Sequence, residues 1–590
     1  MVSGPTRTNP TRAPSGAAPP PGGEERGKDI SVSGSVPDFF SQTRGEFKLP
    51  SYLQDLFPPA EVWSSLTRRE KLKIIEELAK EKRGVAVYDM MERLREKLPF
   101  VDEKLRKMEE KGLYANPLQI ALMTPACVRA EVIFELVEGV GIIDLYKVDW
   151  RGRGQAEVCV ALKGDRVLYG LDLLHSVARA LAGALYTSGV EKEVERLARD
   201  SSTYLFREQV NPWEYLAVEN GILSLKTFEL MEPGSPALPN CFFTMHAPVT
   251  VRESFLRDLR EGRVTEDWFQ GRAFYELLKP RYDDYNWDLL KRALGSILLP
   301  WPEGAIAFVA GETMARKTVL NNLLKATLGN YCAAVDLLVL QENRFATAQL
   351  EGARCAVASE EEDVVLKRVG KLKRITGGDE QVVEEKFKQP RNSRVCVTLF
   401  VFVNRLPKFK KVDRAVKKRA LIIRTKEAEP HTLEEKELIS EALERPEEFF
   451  EYLLFCSWSL RQRLNELKWG LKTEEEYEQV GEDLLLAADN VRKFFLEARG
   501  DRESEWHIRV VHGAETYPTH LYAAYKAWCS FYGEEPVSER EFFERIEPLL
   551  QSIGVVYRSE RAGRRKVWKN LALGPATSTP QLPEPAPLEY

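Results

Sequence analysis

The stretch Ala305-Ile306-Ala307-Phe308-Val309-Ala310-Gly311-Glu312-Thr313-Met314-Ala315-Arg316-Lys317-Thr318 passes from an unbroken apolar run into a glycine-led loop that ends in a lysine and a hydroxyl. A run this short and this uniformly apolar reads as a strand buried on both faces. The segment from Val319 to Leu328, stopped by Gly329, reads as the helix that follows it. Strand, loop and helix together make a P-loop: glycine lets backbone N–H groups approach phosphate, lysine reaches the β- and γ-phosphates, and a hydroxyl meets magnesium. Gly311, Lys317 and Thr318 supply these three groups, with Ala315 and Arg316 completing the loop. The expected ligands are ATP and Mg2+, with Thr318 on the metal.

Two more apolar strands downstream end in polar groups. Cys355-Ala356-Val357-Ala358 runs into Ser359-Glu360-Glu361, and Val395 to Val403 runs into Asn404. Ligands of open α/β sheets sit just outside the carboxyl ends of the strands, so these groups are expected to converge on one phosphate. Glu360 or Glu361 suits the acid that holds Mg2+ and polarises the attacking water, and Asn404 suits an amide that orients that water. Asp413-Arg414-Ala415-Val416-Lys417-Lys418-Arg419 then precedes a further strand, Ala420 to Ile423. Arg419 is placed to reach a neighbouring subunit's γ-phosphate and stabilise transition-state charge.

The net charge of −5 conceals a basic block: residues 364–424 hold 18 Lys and Arg against 5 Asp and Glu. Such a block inside an acidic chain points to a polyanionic partner. Lys386, Lys388 and Arg391 flank Phe387, joining phosphate-binding charge to a ring that contacts sugar or base, and Lys373 is a further candidate. The eight cysteines are widely spaced, with no CxxC and no Cys/His pairing at zinc spacing, and read as reduced residues of an intracellular protein. No apolar stretch is long enough for a membrane span, so a soluble protein with no membrane partner is expected.

Along the chain, residues 1–45 and 574–590 are rich in Pro, Gly, Ser and Thr and are expected to be disordered tails. Residues 46–125 read as helical, opened by a Thr67/Glu70 capping box and including an amphipathic stretch from Val85 to Gly112. Residues 126–300 read as an α+β domain, with strands at 143–148 and 157–162, helix between Leu171 and Leu197, and a tight turn at Asn220-Gly221. Residues 301–427 form the α/β core and 428–509 a helical segment, with one charged helical stretch from Thr432 to about Leu467. In 510–573, helices near 520–532 and 538–552 precede two strands that bracket the basic turn Arg561-Ala562-Gly563-Arg564-Arg565. Arg561, Arg564 and Arg565 form the tip of a wing suited to lie along a DNA backbone.

Lys371-Leu372-Lys373-Arg374-Ile375-Thr376-Gly377-Gly378-Asp379, followed by Asn404-Arg405-Leu406-Pro407 and by Lys418-Arg419 before a strand, resembles the superfamily 3 helicase domain of phage, plasmid and large-DNA-virus primase-helicases. The resemblance covers roughly residues 130–572. It implies an AAA+ core with a C-terminal winged helix and a hexameric homo-oligomer. It also implies ATP-driven unwinding of DNA in the replication of a virus, plasmid or integrated element, in the cytoplasm of a prokaryotic or archaeal host. In that family the segment after Thr376-Gly377-Gly378-Asp379 projects into the ring channel, which assigns Lys386 and Lys388 to single-stranded DNA and the winged helix to duplex. A separate primase is the implied partner. The chain departs from the family by carrying Ala315-Arg316 where Asn-Gly usually precedes the lysine, and Thr313 where a further glycine stands. That departure keeps open a non-hydrolysing DNA-binding initiator with a degenerate P-loop. A primase-helicase is the other alternative, though the first 125 residues show no Asp-x-Asp at a strand end.

Overall fold

A computed structural model describes residues 60–81, 124–150, 156–311, 316–358, 365–366, 369–386, 390–409, 412–426, 432–559 and 566–575, with isolated positions between 90 and 122. The expected tail at 1–45 and nearly all of that at 574–590 lie outside the described residues, as does most of the stretch from Val85 to Gly112. The architecture is mixed α/β, with a parallel sheet and many helices.

Five strands form that sheet: β1 (Ile306–Ala310), β2 (Cys332–Ala334), β3 (Cys355–Ala358), β4 (Thr398–Val403) and β5 (Ala420–Arg424). Their spatial order is β5-β1-β4-β3-β2, and every pairing is parallel. Alternate residues face opposite layers, as the two-residue period of a strand requires. Ala307, Val309, Val357, Phe400, Phe402, Leu421 and Ile423 pack on one side with Leu290, Leu294, Leu320, Leu324 and Leu453. Ile306, Phe308, Ala356, Leu399, Val401 and Ile422 pack on the other with Leu372, Ile375, Val480 and Leu484. Covering both faces explains the unbroken apolar runs, and each fully buried Leu or Phe contributes about 1.5–3 kcal/mol.

The apolar run from Val395 is divided. Only Thr398–Val403 joins the sheet, while Arg391–Arg394 pairs antiparallel with Glu380–Val383. Val395 to Val397 are buried in the passage between them, where the Val397 N–H donates to the Ile375 carbonyl. The charged stretch from Thr432 is likewise two helices, Leu433–Glu444 and Pro446–Arg463, because Pro446 starts a new helix at its first turn. Gly295 on helix Asp284–Ser296 meets the second of these so closely that a Cβ there would lie 2.5 Å from the Cys456 carbonyl oxygen.

In the preceding unit, strands Leu168–Tyr169, Glu157–Leu162, Ile143–Val148 and Thr203–Leu205 lie side by side in that order. Helix Arg68–Glu81 opens on reciprocal Thr67 and Glu70 hydrogen bonds and docks through a buried Arg68–Asp165 pair at 2.7 Å. The expected turn is shifted by one residue. Glu219 and Asn220 connect strands Tyr215–Val218 and Gly221–Ser224, and Gly221 begins the second strand. A side chain at Gly221 would place its Cβ 2.7 Å from the Met231 carbonyl oxygen. Asn220 instead ties the hairpin to Val251 through both its amide groups.

Toward the C-terminus, helices Asn490–Gly500, Pro518–Tyr532 and Glu539–Ser552 cover an antiparallel sheet whose strand order is Ile508–Thr516, Lys566–Leu573, Val556–Ser559. Their common core joins Tyr525, Trp528, Phe542 and Trp568 with Val491, Phe494 and Phe495, so the unit includes a helix that the sequence reading assigned to the segment before residue 510. Among the described residues, no helix is long and apolar enough to cross a membrane.

Candidate functional site

Because β4 lies between β1 and β3, the residues leaving β4 emerge beside the loop that leaves β1. The Gly311 N–H donates to the Val403 carbonyl at 3.2 Å, fixing the two exits together. Lys317 opens helix Lys317–Leu328 and its ammonium reaches back across this junction. It donates to the Gly311 carbonyl, to the Val403 carbonyl at 2.9 Å and to Asn404 Oδ1 at 2.5 Å. Thr318 is exposed beside it in the first helical turn, the position a hydroxyl ligand for magnesium requires. A cleft of about 500 Å³ opens at this end of the sheet, lined by Ala310, Gly311, Asn404, Arg405, Lys408 and Arg424, and walled by Asn490, Lys493 and Tyr532 of the C-terminal helices. Ala358 pairs with Val401 one strand further on, but Glu360 and Glu361 lie outside the described residues, as does Ala315.

Arg316 has φ +59° and ψ 18°, the left-handed conformation that glycine adopts without penalty. An arginine held there costs about 1–2 kcal/mol. Its side chain is fully buried and its guanidinium pairs with Glu435 on helix Leu433–Glu444. Glu435 also accepts from Arg281 at 2.6 Å. Burial alone would raise the Glu435 carboxyl, but Arg281 and Arg316 outweigh it and hold it below the ordinary glutamate value. Arg316 therefore meets the backbone requirement of the missing glycine while its charge is turned into the protein, toward Glu435. Glu435 was missed in the sequence because it reads there only as one more acid in a charged helix.

Arg419 lies at the opposite end of the sheet. Ala420, its neighbour, pairs with Ile306, the first residue of β1. With about 3.3 Å per strand residue, five residues of β1 separate it from the Lys317 junction by roughly 16 Å. Its Nη1 donates to the Ala415 carbonyl at 3.3 Å, and its guanidinium packs over Gly377 at the edge of a cleft of about 210 Å³ shared with Trp301, Glu303 and Gly470. Lys472, buried next to it, donates to the carbonyls of Lys418 and Ala420 at 2.9 and 2.7 Å, and burial pushes its ammonium down to about 7.

The amino end of the sheet also carries the antiparallel pair Glu380–Val383 and Arg391–Arg394, whose connection holds Lys386 in an exposed position. Two of the expected DNA-contacting cations are engaged within the protein. Lys373 pairs with Asp413, the cap of helix Arg414–Arg419, and Arg391 pairs with Glu351 and with Glu385 at 2.5 Å. Asp413 and Glu351 are each 40 positions from the cation they engage, whereas Glu385 is a near neighbour of Arg391 in sequence. Phe387, Lys388, Arg561, Arg564 and Arg565 lie outside the described residues.

Residues 309–419, from the end of β1 to Arg419, match a family described as a family of unknown function (DUF5906). No curated protein matches the chain. Among solved structures, the chain is similar to the C-terminal region of NrS-1 in its A form apo structure, at 11% identity over 75% of this chain and 98% of that one, with a TM-score of 0.35. A second apo structure of that region is similar at 12% identity, again over 75% and 98%, with a TM-score of 0.35.

Proposed function

We propose that the chain is one subunit of a ring-shaped, ATP-dependent DNA helicase of a replicating virus, plasmid or integrated element, with an AAA+ core and a C-terminal winged helix. The observation that carries this reading is the meeting of Lys317, Gly311 and Asn404 where adjacent parallel strands end, beside a cleft of about 500 Å³. A triphosphate entering there replaces the carbonyl and amide oxygens that now hold the lysine. Lys317 then neutralises the β- and γ-phosphates, and the amide of Asn404 is released to orient the attacking water. Thr318 and Glu360 would hold Mg2+, which supplies charge neutralisation for the leaving phosphate.

Arg419, on the far side of the sheet from its own Lys317, fits a role toward a neighbouring subunit's phosphate. Lys386, exposed after the strand Glu380–Val383 at that same end, is the expected contact to a single strand of DNA, and Lys388 is expected by sequence to join it. Arg561, Arg564 and Arg565 are the expected contacts to duplex. Nucleotide binding at one end of the sheet and single-strand binding at the other are linked by the strands themselves.

Equilibrium titration of a fluorescent ATP analogue with Mg2+ tests this reading. Saturable binding that Lys317→Ala weakens at least tenfold is expected. Absence of binding by the wild-type chain at millimolar nucleotide would favour the non-hydrolysing initiator, a reading that rests on Arg316 occupying a glycine conformation.

A further inference from the structure

Two helices before the sheet domain bring together three side chains of metal-binding type that have no part in the nucleotide site. His175 lies on helix Leu171–Ala182, and Glu191 and Glu195 lie one turn apart on helix Ser188–Ser201. The His175 side chain is only 10% exposed, with Nε2 3.3 Å from Glu195 Oε1 and 4.0 Å from Glu191 Oε1. The three ligand atoms all lie within 4.8 Å of one another. The other ring nitrogen, Nδ1, is 2.6 Å from the Tyr186 hydroxyl. With Nδ1–H donating to that hydroxyl oxygen, Nε2 carries a lone pair aimed at the two carboxylates.

Glu191 and Glu195 are like charges at i and i+4, a pairing that destabilises a helix unless a cation lies between them. Among the described residues the ion-pair partner of both carboxylates is His175, while Arg196 pairs with Glu193 and Asp200 and Arg179 lies over the Tyr186 ring. A single ring N–H serves one acceptor, so two carboxylates converging on one ring nitrogen exceed what a hydrogen bond uses. Ligands at about 2.0–2.1 Å around a tetrahedral zinc stand about 3.3 Å apart. The His175–Glu195 distance already has this value. Glu191, with a side chain 37% exposed, has room to close the remaining gap. The Tyr186 hydroxyl fills the outer position that orients a ligating histidine and fixes its tautomer.

We propose that His175, Glu191 and Glu195 bind a divalent transition-metal ion, zinc by ligand set and spacing, with water at the fourth position. The ion neutralises the paired carboxylates and ties helix Leu171–Ala182 to helix Ser188–Ser201. One imidazole and two carboxylates without thiolate also accommodate Mn2+, which the test separates.

The full chain, stripped with chelator, is titrated with ZnCl2 and separately with MnCl2 by calorimetry. The expected result is one zinc per chain, bound more tightly than manganese, with binding weakened on the order of 100-fold by His175→Gln or Glu195→Gln and about 10-fold by Tyr186→Phe. Glu195→Gln alters a partly exposed side chain, so it reads the site even if His175→Gln fails to fold. Cobalt loaded in place of zinc should show d–d absorption with no thiolate charge-transfer band. Absence of saturable zinc binding, binding indifferent to Glu195→Gln, tighter binding of manganese, or a thiolate band at one equivalent of cobalt would each overturn the assignment.

Discussion

The ammonium of Lys317 donates to the side-chain oxygen of Asn404 at 2.5 Å, although the two residues are 87 positions apart. The contact exists because β4 inserts next to β1, delivering the end of one apolar strand to the start of the helix that follows the other. Substituting Asn404 separates its hold on Lys317 from its proposed role toward the attacking water. Asn404→Ala should leave ATP affinity within about threefold of wild type and slow hydrolysis by one to two orders of magnitude, since a water-orienting group acts on the chemical step rather than on binding. Parallel binding and single-turnover measurements check this, and an equal loss in both would assign Asn404 to binding instead.

Arg316 combines a backbone cost with a side-chain contribution. Removing the guanidinium leaves Glu435 with Arg281, so Arg316→Ala should destabilise by about 2–3 kcal/mol, less than the loss of a whole buried pair. Arg316→Gly loses the same ion pair but relieves the left-handed conformation, and should be about 1 kcal/mol more stable than Arg316→Ala. Urea denaturation of the two variants measures the difference. An alanine variant as stable as the glycine one would show that position 316 is not held at positive φ.

Close backbone packing at Gly295 predicts a large effect from one methyl group. Gly295→Ala sets a Cβ against the Cys456 carbonyl, where neither helix has a flexible side chain to yield. The loss should be about 2–3 kcal/mol, whereas Gly500→Ala, with nothing near its Cβ, should change stability by less than about 1 kcal/mol.

Lys472 gives the fold a pH dependence of defined sign. Its value is pushed from the ordinary 10.5 down to about 7 by burial, so between these two pH values the unfolded chain binds the proton and the folded chain does not. The contribution of Lys472 to stability therefore rises from pH 7 toward pH 10 and is lost as pH falls toward 7. Wild type should gain stability relative to Lys472→Met between pH 7 and pH 9, measured as the change in the urea midpoint. A constant difference across that range would contradict a neutral buried amine.

Arg419 at the far end of the sheet makes a prediction about assembly. If it serves a neighbour's nucleotide, Lys317→Ala and Arg419→Ala chains are each inactive, yet a mixture contains interfaces with both groups intact and should recover about a quarter of wild-type ATPase at random mixing. No recovery in a mixture proven to co-assemble would place Arg419 outside the active site.

Much of this architecture was legible in the chain itself. Ala305 to Ala310, Cys355 to Ala358 and Ala420 to Ile423 are strands within a residue of the expected bounds, because burial on both faces leaves no polar alternation to misread. Thr67 and Glu70 cap their helix through contacts only three residues apart, which sequence displays directly. What sequence could not show was pairing at a distance. The acids that engage Lys373, Arg391 and Arg316 come from Asp413, Glu351 and Glu435, 40 to 119 positions away. The apolar run at 395–403 hid a change of role at Thr398, since burial between two elements and burial within a sheet select the same side chains.

The proposed function requires that a triphosphate be bound and split at the Lys317–Asn404 junction in response to DNA. The most direct measurement is the steady-state rate of ATP hydrolysis with and without single-stranded DNA for wild type and Lys317→Ala. Wild type should hydrolyse ATP at a rate that DNA stimulates severalfold, with a loss of at least 100-fold in the variant at either condition. Hydrolysis unchanged by Lys317→Ala, or none by wild type in the presence of DNA and Mg2+, would contradict it.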